Sequence, residues 1–207
     1  MTQQASGSAD ADVAPPAGEP GEQTRPAGRV ATVRVGMMLL LGVAVLAVAL
    51  DQWTKELAVN ALSDGSVVRL LGGAVYLDLT RNSGAAFSMF SDFTFVFPVF
   101  AVVISGLILW YARGLRSWPW ALALGLVLGG ALGNLMDRLF RSPGPFQGHV
   151  VDFISAFAPA GEKFPIFNVA DSALTIGVVL GIALELFRYQ RDGTRVVKTS
   201  AGTAEGA

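Results

Sequence analysis

Three carboxylates, Asp51, Asp137 and Asp171, sit in or at the ends of apolar runs, each with polar company at helical spacing. Lys55 follows Asp51 by four residues. Asn134, Asp137 and Arg138 fall at i, i+3 and i+4, and Asn168 precedes Asp171 by three. Residues so spaced share one helix face. A charged side chain near a bilayer centre costs roughly 2.5–3.5 kcal/mol on insertion scales, so such residues are rare and tend to be functional. If Asp137 and Asp171 met across neighbouring helices in a poorly solvated site, both could not easily ionise, and the pair would hold one proton. The ionised member would activate water. The protonated member would polarise a carbonyl and later donate to a leaving amine. Spacing alone leaves other uses open: a carboxylate pair can also conduct protons or bind a cation, and Asp137 with Arg138 can simply mark where a helix reaches water.

Other chemistries fit less well. The chain has no cysteine, which removes disulfides, thiolate metal sites and a Cys nucleophile. His149 is the single histidine and lies in a loop segment, so a His-rich metal site is not expected, nor any cofactor. Ser83, Ser88 and Ser172 lack a plausible His–acid partnership. The net charge of −1 gives no sign of nucleic-acid binding.

The elements that must position the acids read as membrane spans. Of 207 residues, 52% are hydrophobic and 15% charged, with a mean hydropathy of +0.51. Apolar segments at about 35–53, 93–111, 118–139 and 166–187 each have the length that crosses a hydrocarbon core. Pro98 lies in the second and could kink it. Residues 1–30 are rich in Ala, Gly, Pro and acids and read as a disordered cytoplasmic tail rather than a secretory signal; 191–207 read as a second one. The remainder, 31–190, reads as one membrane domain. Arginines flank the first segment (Arg25, Arg29, Arg34), the connection 112–117 (Arg113, Arg116) and the fourth segment (Arg188, Arg191, Arg195), which predicts both termini to be cytoplasmic and two longer loops to face outward. In the first outer loop, runs at 66–71 and 74–80 flank Gly72-Gly73, a hairpin signal. Val75, Leu77 and Leu79 alternate with Tyr76, Asp78 and Thr80, so a small sheet on the outer surface is expected, followed by a turn at 82–84 and a short interfacial helix from Ala85. The second outer loop is rich in Pro and Gly and ends in Val150-Val151-Asp152-Phe153-Ile154.

With that topology the acids cluster at one depth, near the outer ends of the first, third and fourth segments, whereas independent interfacial charges would mark both ends. This argues for a shared polar site between helices. Gly125, Gly129 and Gly133, and Gly177 with Gly181, recur every fourth residue and would let backbones approach closely. The alternative function at this point is a proton-coupled transporter or channel using Asp51, Asp137 and Asp171 as a relay. No acid continues such a relay through the middle of any span.

Five blocks, in order, carry a resemblance: Asp51-Gln52-Trp53-Thr54-Lys55, Arg81-Asn82-Ser83-Gly84-Ala85-Ala86-Phe87-Ser88, 129–138 with Gly133, Asn134, Asp137 and Arg138, Val151-Asp152-Phe153, and Phe167-Asn168-Val169-Ala170-Asp171-Ser172. Over about 35–190 the chain resembles lipoprotein signal peptidase (signal peptidase II), a family of bacterial membrane aspartic proteases. The resemblance implies an all-α integral membrane fold of four transmembrane helices, with a small extracytoplasmic β-sheet cradle between helices 1 and 2. It implies a hydrolase of the cytoplasmic (inner) membrane with its active site near the outer leaflet. Its partners would be lipidated prolipoprotein signal peptides and membrane lipid, and it would cut before the diacylglyceryl-modified cysteine. Carried over by motif, Asp137 and Asp171 are expected to be the catalytic dyad. Asn134 and Asn168 would hold it, and Asn82, Gly84 and Arg138 would lie on the substrate side. Asp51 and Lys55 would support the site, and Asp152 would stabilise the second outer loop. A monomer with neither metal nor cofactor is expected.

Overall fold

The computed structural model describes residues 22–26, 32–84 and 95–198. Among the described residues, four helices are long and apolar enough to cross a membrane. Helix α1 (Val33–Leu62) begins at Thr32, whose hydroxyl accepts from the Val35 amide, and runs 30 residues. At 1.5 Å per residue it is about 45 Å long, well beyond a hydrocarbon core. Its last two turns therefore stand outside the span that ended at residue 53 in the sequence reading. Helix α2 (Val96–Tyr111) carries Pro98 in its first turn, where no intrahelical bond is lost, so the proline does not kink a helix interior. Helix α3 (Trp118–Phe140) and α4 (Val169–Leu186) complete the set. The fourth segment starts three residues later than the apolar pattern implied, because Phe167 instead bridges to Ile154. The short helix expected from Ala85 lies outside the described residues.

Helix α3 is central. It packs on α1 and α4 and supports α2, which leans principally on it. Small residues make the two tight seams. A Cβ on Gly129 would meet Ala47 and the Ala44 backbone of α1, and one on Gly130 would strike the Ala170 carbonyl of α4. Gly125 and Gly177 sit in the same seams, whereas Gly181 only approaches the Trp120 ring. The core between the helices includes Leu40, Ala44, Leu115, Ala121, Ala123 and Leu128.

The three-stranded sheet has the order β2 (Val68–Leu70), β3 (Val75–Asn82), β4 (Val150–Ala156), all antiparallel. The hairpin expected around Gly72-Gly73 is present; the third strand was read as the end of a loop. Leu77 and Leu79 of β3 and Val151 and Phe153 of β4 pack with Ala58 and Leu62 on the outer turns of α1. Because side chains alternate across a strand, Val150 and Asp152 point the other way, toward the helix bundle's cavity. A register irregularity between Leu77 and Thr80 brings Thr80 opposite Asp152 and Asn82 opposite Val150.

The end of the bundle away from this sheet is knitted by the segment that follows α4. The Arg191 carbonyl accepts from the amides of Arg116 and Ser117 (2.9 Å each), at the start of α3. The Trp120 indole donates to Tyr189 O at 2.7 Å. Within the two segments read as disordered tails, β1 (Glu22–Pro26) and β5 (Thr194–Lys198) pair as an antiparallel ribbon. Backbone pairing supplies there what side-chain composition did not signal.

Candidate active site

Two polar groups share the end of the bundle that carries the three-stranded sheet, and the structure separates residues that helical spacing had grouped. The first is a buried ion cluster. Lys55 Nζ lies 2.8 Å from Asp51 Oδ2 and 2.8 Å from Asp137 Oδ2, with all three side chains fully inaccessible. Arg141 Nε adds a 2.6 Å bond to Asp137 Oδ1, and its NH2 reaches Glu56 at 2.8 Å. Gln52 donates to Asp51, Asp137 and the Gly133 carbonyl. Asp51 Oδ1 accepts from the Ala170 amide at 2.8 Å, placing an anion on an unsatisfied N–H at the start of α4. The Gly133 Cα faces this cluster; a Cβ there would come within 2.8 Å of Asp51 Oδ2. Two buried anions thus meet two cations, which is the condition for tolerating such charges away from water.

The second group surrounds a cavity of about 390 Å³. Its polar wall holds Asn82, Asn134, Arg138, Asp152 and Asp171; its apolar wall includes Phe97, Phe100 and Ile104 of α2 and Leu174 of α4. Asn168 Nδ2 donates to Asp152 Oδ1 at 2.6 Å and to Asn134 Oδ1 at 3.1 Å. Lys55 Nζ also donates to Asn134 Oδ1, at 3.0 Å. The Asn134 oxygen is therefore committed, and its Nδ2 must face an acceptor, which is Asp171 Oδ1 at 2.8 Å. Asn82 Nδ2 reaches Asp152 Oδ2 at 3.0 Å, diagonally across the strand pair. Asp152 and Asp171 are thus joined through two asparagine amides and open on the same cavity. Asp152 is 2% exposed, and burial pushes its carboxyl up to about 6; the Asp171 carboxylate pushes the same way against the hydrogen bonds from Asn82 and Asn168.

Asp171 also has a local role. It is the third residue of α4, and it closes a capping box in which Asn168 Oδ1 accepts from the Asp171 amide (2.9 Å) and Asp171 Oδ2 from the Asn168 amide (3.1 Å). The box fixes Oδ2 and leaves Oδ1 directed at the site. Arg138 donates to the Gly148 carbonyl at 3.1 Å and lies 5.6 Å from the Phe97 ring centre. Gly84 has φ +82°, and a Cβ on it would collide with the Phe97 ring and crowd Arg138, so glycine is required on both counts.

Asp137 does not meet Asp171 across α3 and α4. It lies one turn beyond Asn134, the residue that reaches Asp171, and both its oxygens are occupied: Oδ1 by Arg141 and Gln52, Oδ2 by Lys55 and the Val151 amide. A shared proton needs two carboxylates without a compensating cation, and Asp137 has two cations in contact. The residues brought to the cavity are Asn82, Gly84, Asn134, Arg138 and Asp171; Asn168 is buried directly behind it, and Asp51 and Lys55 belong to the ion cluster. Sequence reasoning set Asp152 aside as a loop stabiliser and passed over Gln52, Glu56 and Arg141. The β-branched run around Asp152 carried the signal: read as a strand, it sets that carboxylate opposite the apolar pair Val151 and Phe153. Among the described residues no cluster of His, Cys, Asp and Glu has the makings of a metal site.

Fold and site together define a multi-pass membrane protein with a carboxylate-bearing cavity at one end of the bundle. The family model for signal peptidase (SPase) II matches residues 43–187. The lipoprotein signal peptidase of Mycolicibacterium smegmatis is 45% identical over 93% of this chain and 76% of its own length. That of Mycobacterium tuberculosis is 46% identical over 75% of each chain, and that of Rhodococcus jostii 48% over 76% of this chain and 77% of its own. A solved bacterial membrane enzyme superposes with a TM-score of 0.63 at 30% identity, covering 76% of this chain and 96% of that one. The chain belongs to the signal peptidase II family and is a membrane peptidase.

Proposed function

We propose that this enzyme removes signal peptides from prolipoproteins, and that the reacting carboxylates are Asp152 and Asp171. The observation carrying the assignment is that these two acids share one cavity and one asparagine bridge, and that among the described residues neither is held in a salt bridge of the kind that occupies Asp137. The pair holds one proton. The ionised member takes a proton from water as its oxygen attacks the scissile carbonyl carbon. The protonated member donates a hydrogen bond to the carbonyl oxygen and stabilises the developing negative charge. The tetrahedral intermediate then breaks its C–N bond, and the amine nitrogen leaves with the proton that water gave up. Asn134 and Asn168 hold the acids; Asn82 and Arg138 contact substrate backbone.

The substrate reading rests on the names of the relatives and on the cavity's walls. A signal peptide is an apolar helix, and the cavity's α2 wall, with Phe97, Phe100 and Ile104, is apolar while the wall that bears Asp152 and Asp171 is polar. Cleavage before a diacylglyceryl-modified cysteine would keep the lipid in the outer leaflet. The basic inner end, with Arg34, Arg113, Arg188 and Arg191 exposed, supports cytoplasmic termini and a site near the outer face.

The test uses purified enzyme with a diacylglyceryl-modified precursor and its unlipidated form. Cleavage confined to the lipidated precursor, at the bond before the cysteine, is expected. Asp152→Asn and Asp171→Asn should each insert and accumulate yet be inactive. Full activity in Asp152→Asn would overturn the assignment.

A further inference from the structure

We infer that Arg141 is a positioning residue for Asp152, acting through Asp137 on the backbone of β4; this rests on the assignment of Asp152 to the dyad. Strand β4 is an edge strand at its first residues: β3 pairs on one side, and among the described residues no strand pairs on the other. The Val151 peptide is nevertheless held there by two helices. Its amide donates to Asp137 Oδ2 on α3 at 3.1 Å, and its carbonyl accepts from Asn168 Nδ2 of α4 at 3.3 Å. Side chains thus take the place of a missing strand at the residue next to Asp152. An amide so fixed sets the direction in which the following side chain leaves the strand.

The position of the Asp137 carboxylate is in turn set by its cations. Lys55 divides its charge between Asp51 and Asp137, at 2.8 Å each. Arg141 does not divide its charge within the buried cluster. Its Nε gives Asp137 the shorter contact, 2.6 Å, while NH2 is tied 2.8 Å away to Glu56 on the outer turns of α1. A planar fork spanning two carboxylates fixes both distance and angle, which a lysine does not. The Arg141 side chain is 17% exposed, whereas Lys55, Asp51 and Asp137 are fully inaccessible. Arg141 can therefore be removed without stranding a fully inaccessible cation, which makes its positioning role separable from folding. It is no part of the five motif blocks, and it touches neither the cavity wall nor the dyad.

Misplacing a reacting group by about 1 Å costs on the order of a hundred-fold in rate. Arg141→Gln is expected to lower kcat roughly ten- to a hundred-fold with KM within about two-fold. Looser β4 packing lets water reach Asp152, so the limb of the pH–kcat profile set by the dyad should move to lower pH. Glu56→Gln should give a smaller change of the same kind, and Arg141→Lys should restore melting temperature more than kcat. A merely structural role would lower the folded fraction and leave KM, per-molecule kcat and the pH limb unmoved. The inference is overturned if folded Arg141→Gln has wild-type kcat and pH profile while Asp152→Asn is inactive. If Asp152→Asn is itself active, the dyad assignment fails first, so the two failures are distinct.

Discussion

Substitution of Asp152 by Asn separates the electrostatics of the site from its catalysis. In the folded enzyme burial raises this carboxyl from 3.8 to about 6. Each unit is worth about 1.36 kcal/mol, so the folded state holds the Asp152 proton more tightly by ~3 kcal/mol. A raised pKa contributes stability that is fully present below the unfolded value and is lost as pH rises through the folded one. The window is therefore between 3.8 and about 6. The Asn variant has no titration here. It carries a fixed cost instead, because Asn82 and Asn168 each donate to one Asp152 oxygen and an amide supplies only one acceptor. That mismatch is worth about 1–3 kcal/mol and does not change with pH. The measurement is the melting temperature of both proteins in one detergent from pH 8 to pH 4. At pH 4, just above the unfolded value, ~2.4 kcal/mol of this is realised, so at about 2–4 °C per kcal/mol for a chain of this size the wild type should gain ~5–10 °C relative to the variant as pH falls. Other groups titrate alike in both proteins and largely cancel in the difference. Melting curves that run parallel across the window would refute the claim that burial perturbs Asp152, and with it the physical basis for its sharing a proton with Asp171.

Four other outcomes follow from particular contacts. Lys55→Met leaves Asp51 and Asp137 buried without their common cation, and losing one member of a buried pair costs about 3–5 kcal/mol, so the variant should fail to accumulate; recovery in membranes at wild-type level would contradict this. Gly130→Ala drives a methyl into the Ala170 carbonyl and should cost about 1–3 kcal/mol, read as a lower melting temperature, whereas Gly42→Ala and Gly106→Ala, with nothing within 4 Å, should be neutral or stabilising. Asn82→Ala removes a donor to the Asp152 carboxylate, so the pH–activity limb set by the dyad should move upward, the reverse of its direction in Arg141→Gln. Deleting residues 1–21 leaves β1 in place and should preserve turnover, while deletion through residue 26 removes the partner of β5 and should expose 194–198 to limited proteolysis.

How far the sequence could be read depended on the range over which each residue's partners lie. The helices were legible because a membrane imposes length and apolarity on each one independently, and only the ends moved: α1 runs on to Leu62 to back the sheet, and α4 waits until Val169 because Asn168 caps it. The hairpin at Gly72-Gly73 was legible for the same reason, since turn chemistry and alternation are local. Helical spacing placed Asn134, Asp137 and Arg138 on one face and was right to do so. It could not say that this face looks in two directions. Asn134 lies level with the first turn of α4 and meets Asp171, whereas Asp137, one turn on, lies level with Lys55 and Arg141. The proposed partner, Asp152, lies fifteen residues later on β4, a strand that pairs with β3 from the connection between α1 and α2. No window of local pattern contains that pairing. What the sequence did contain was a charge argument: Lys55 and Arg141 are two cations within helical reach of Asp51 and Asp137, and acids that already have cations are poor candidates for sharing a proton. Neutralising the buried charges against one another before assigning chemistry sets Asp51 and Asp137 aside and leaves Asp152 and Asp171 as acids outside the salt bridges among the described residues, with Arg138 beside them on the cavity wall.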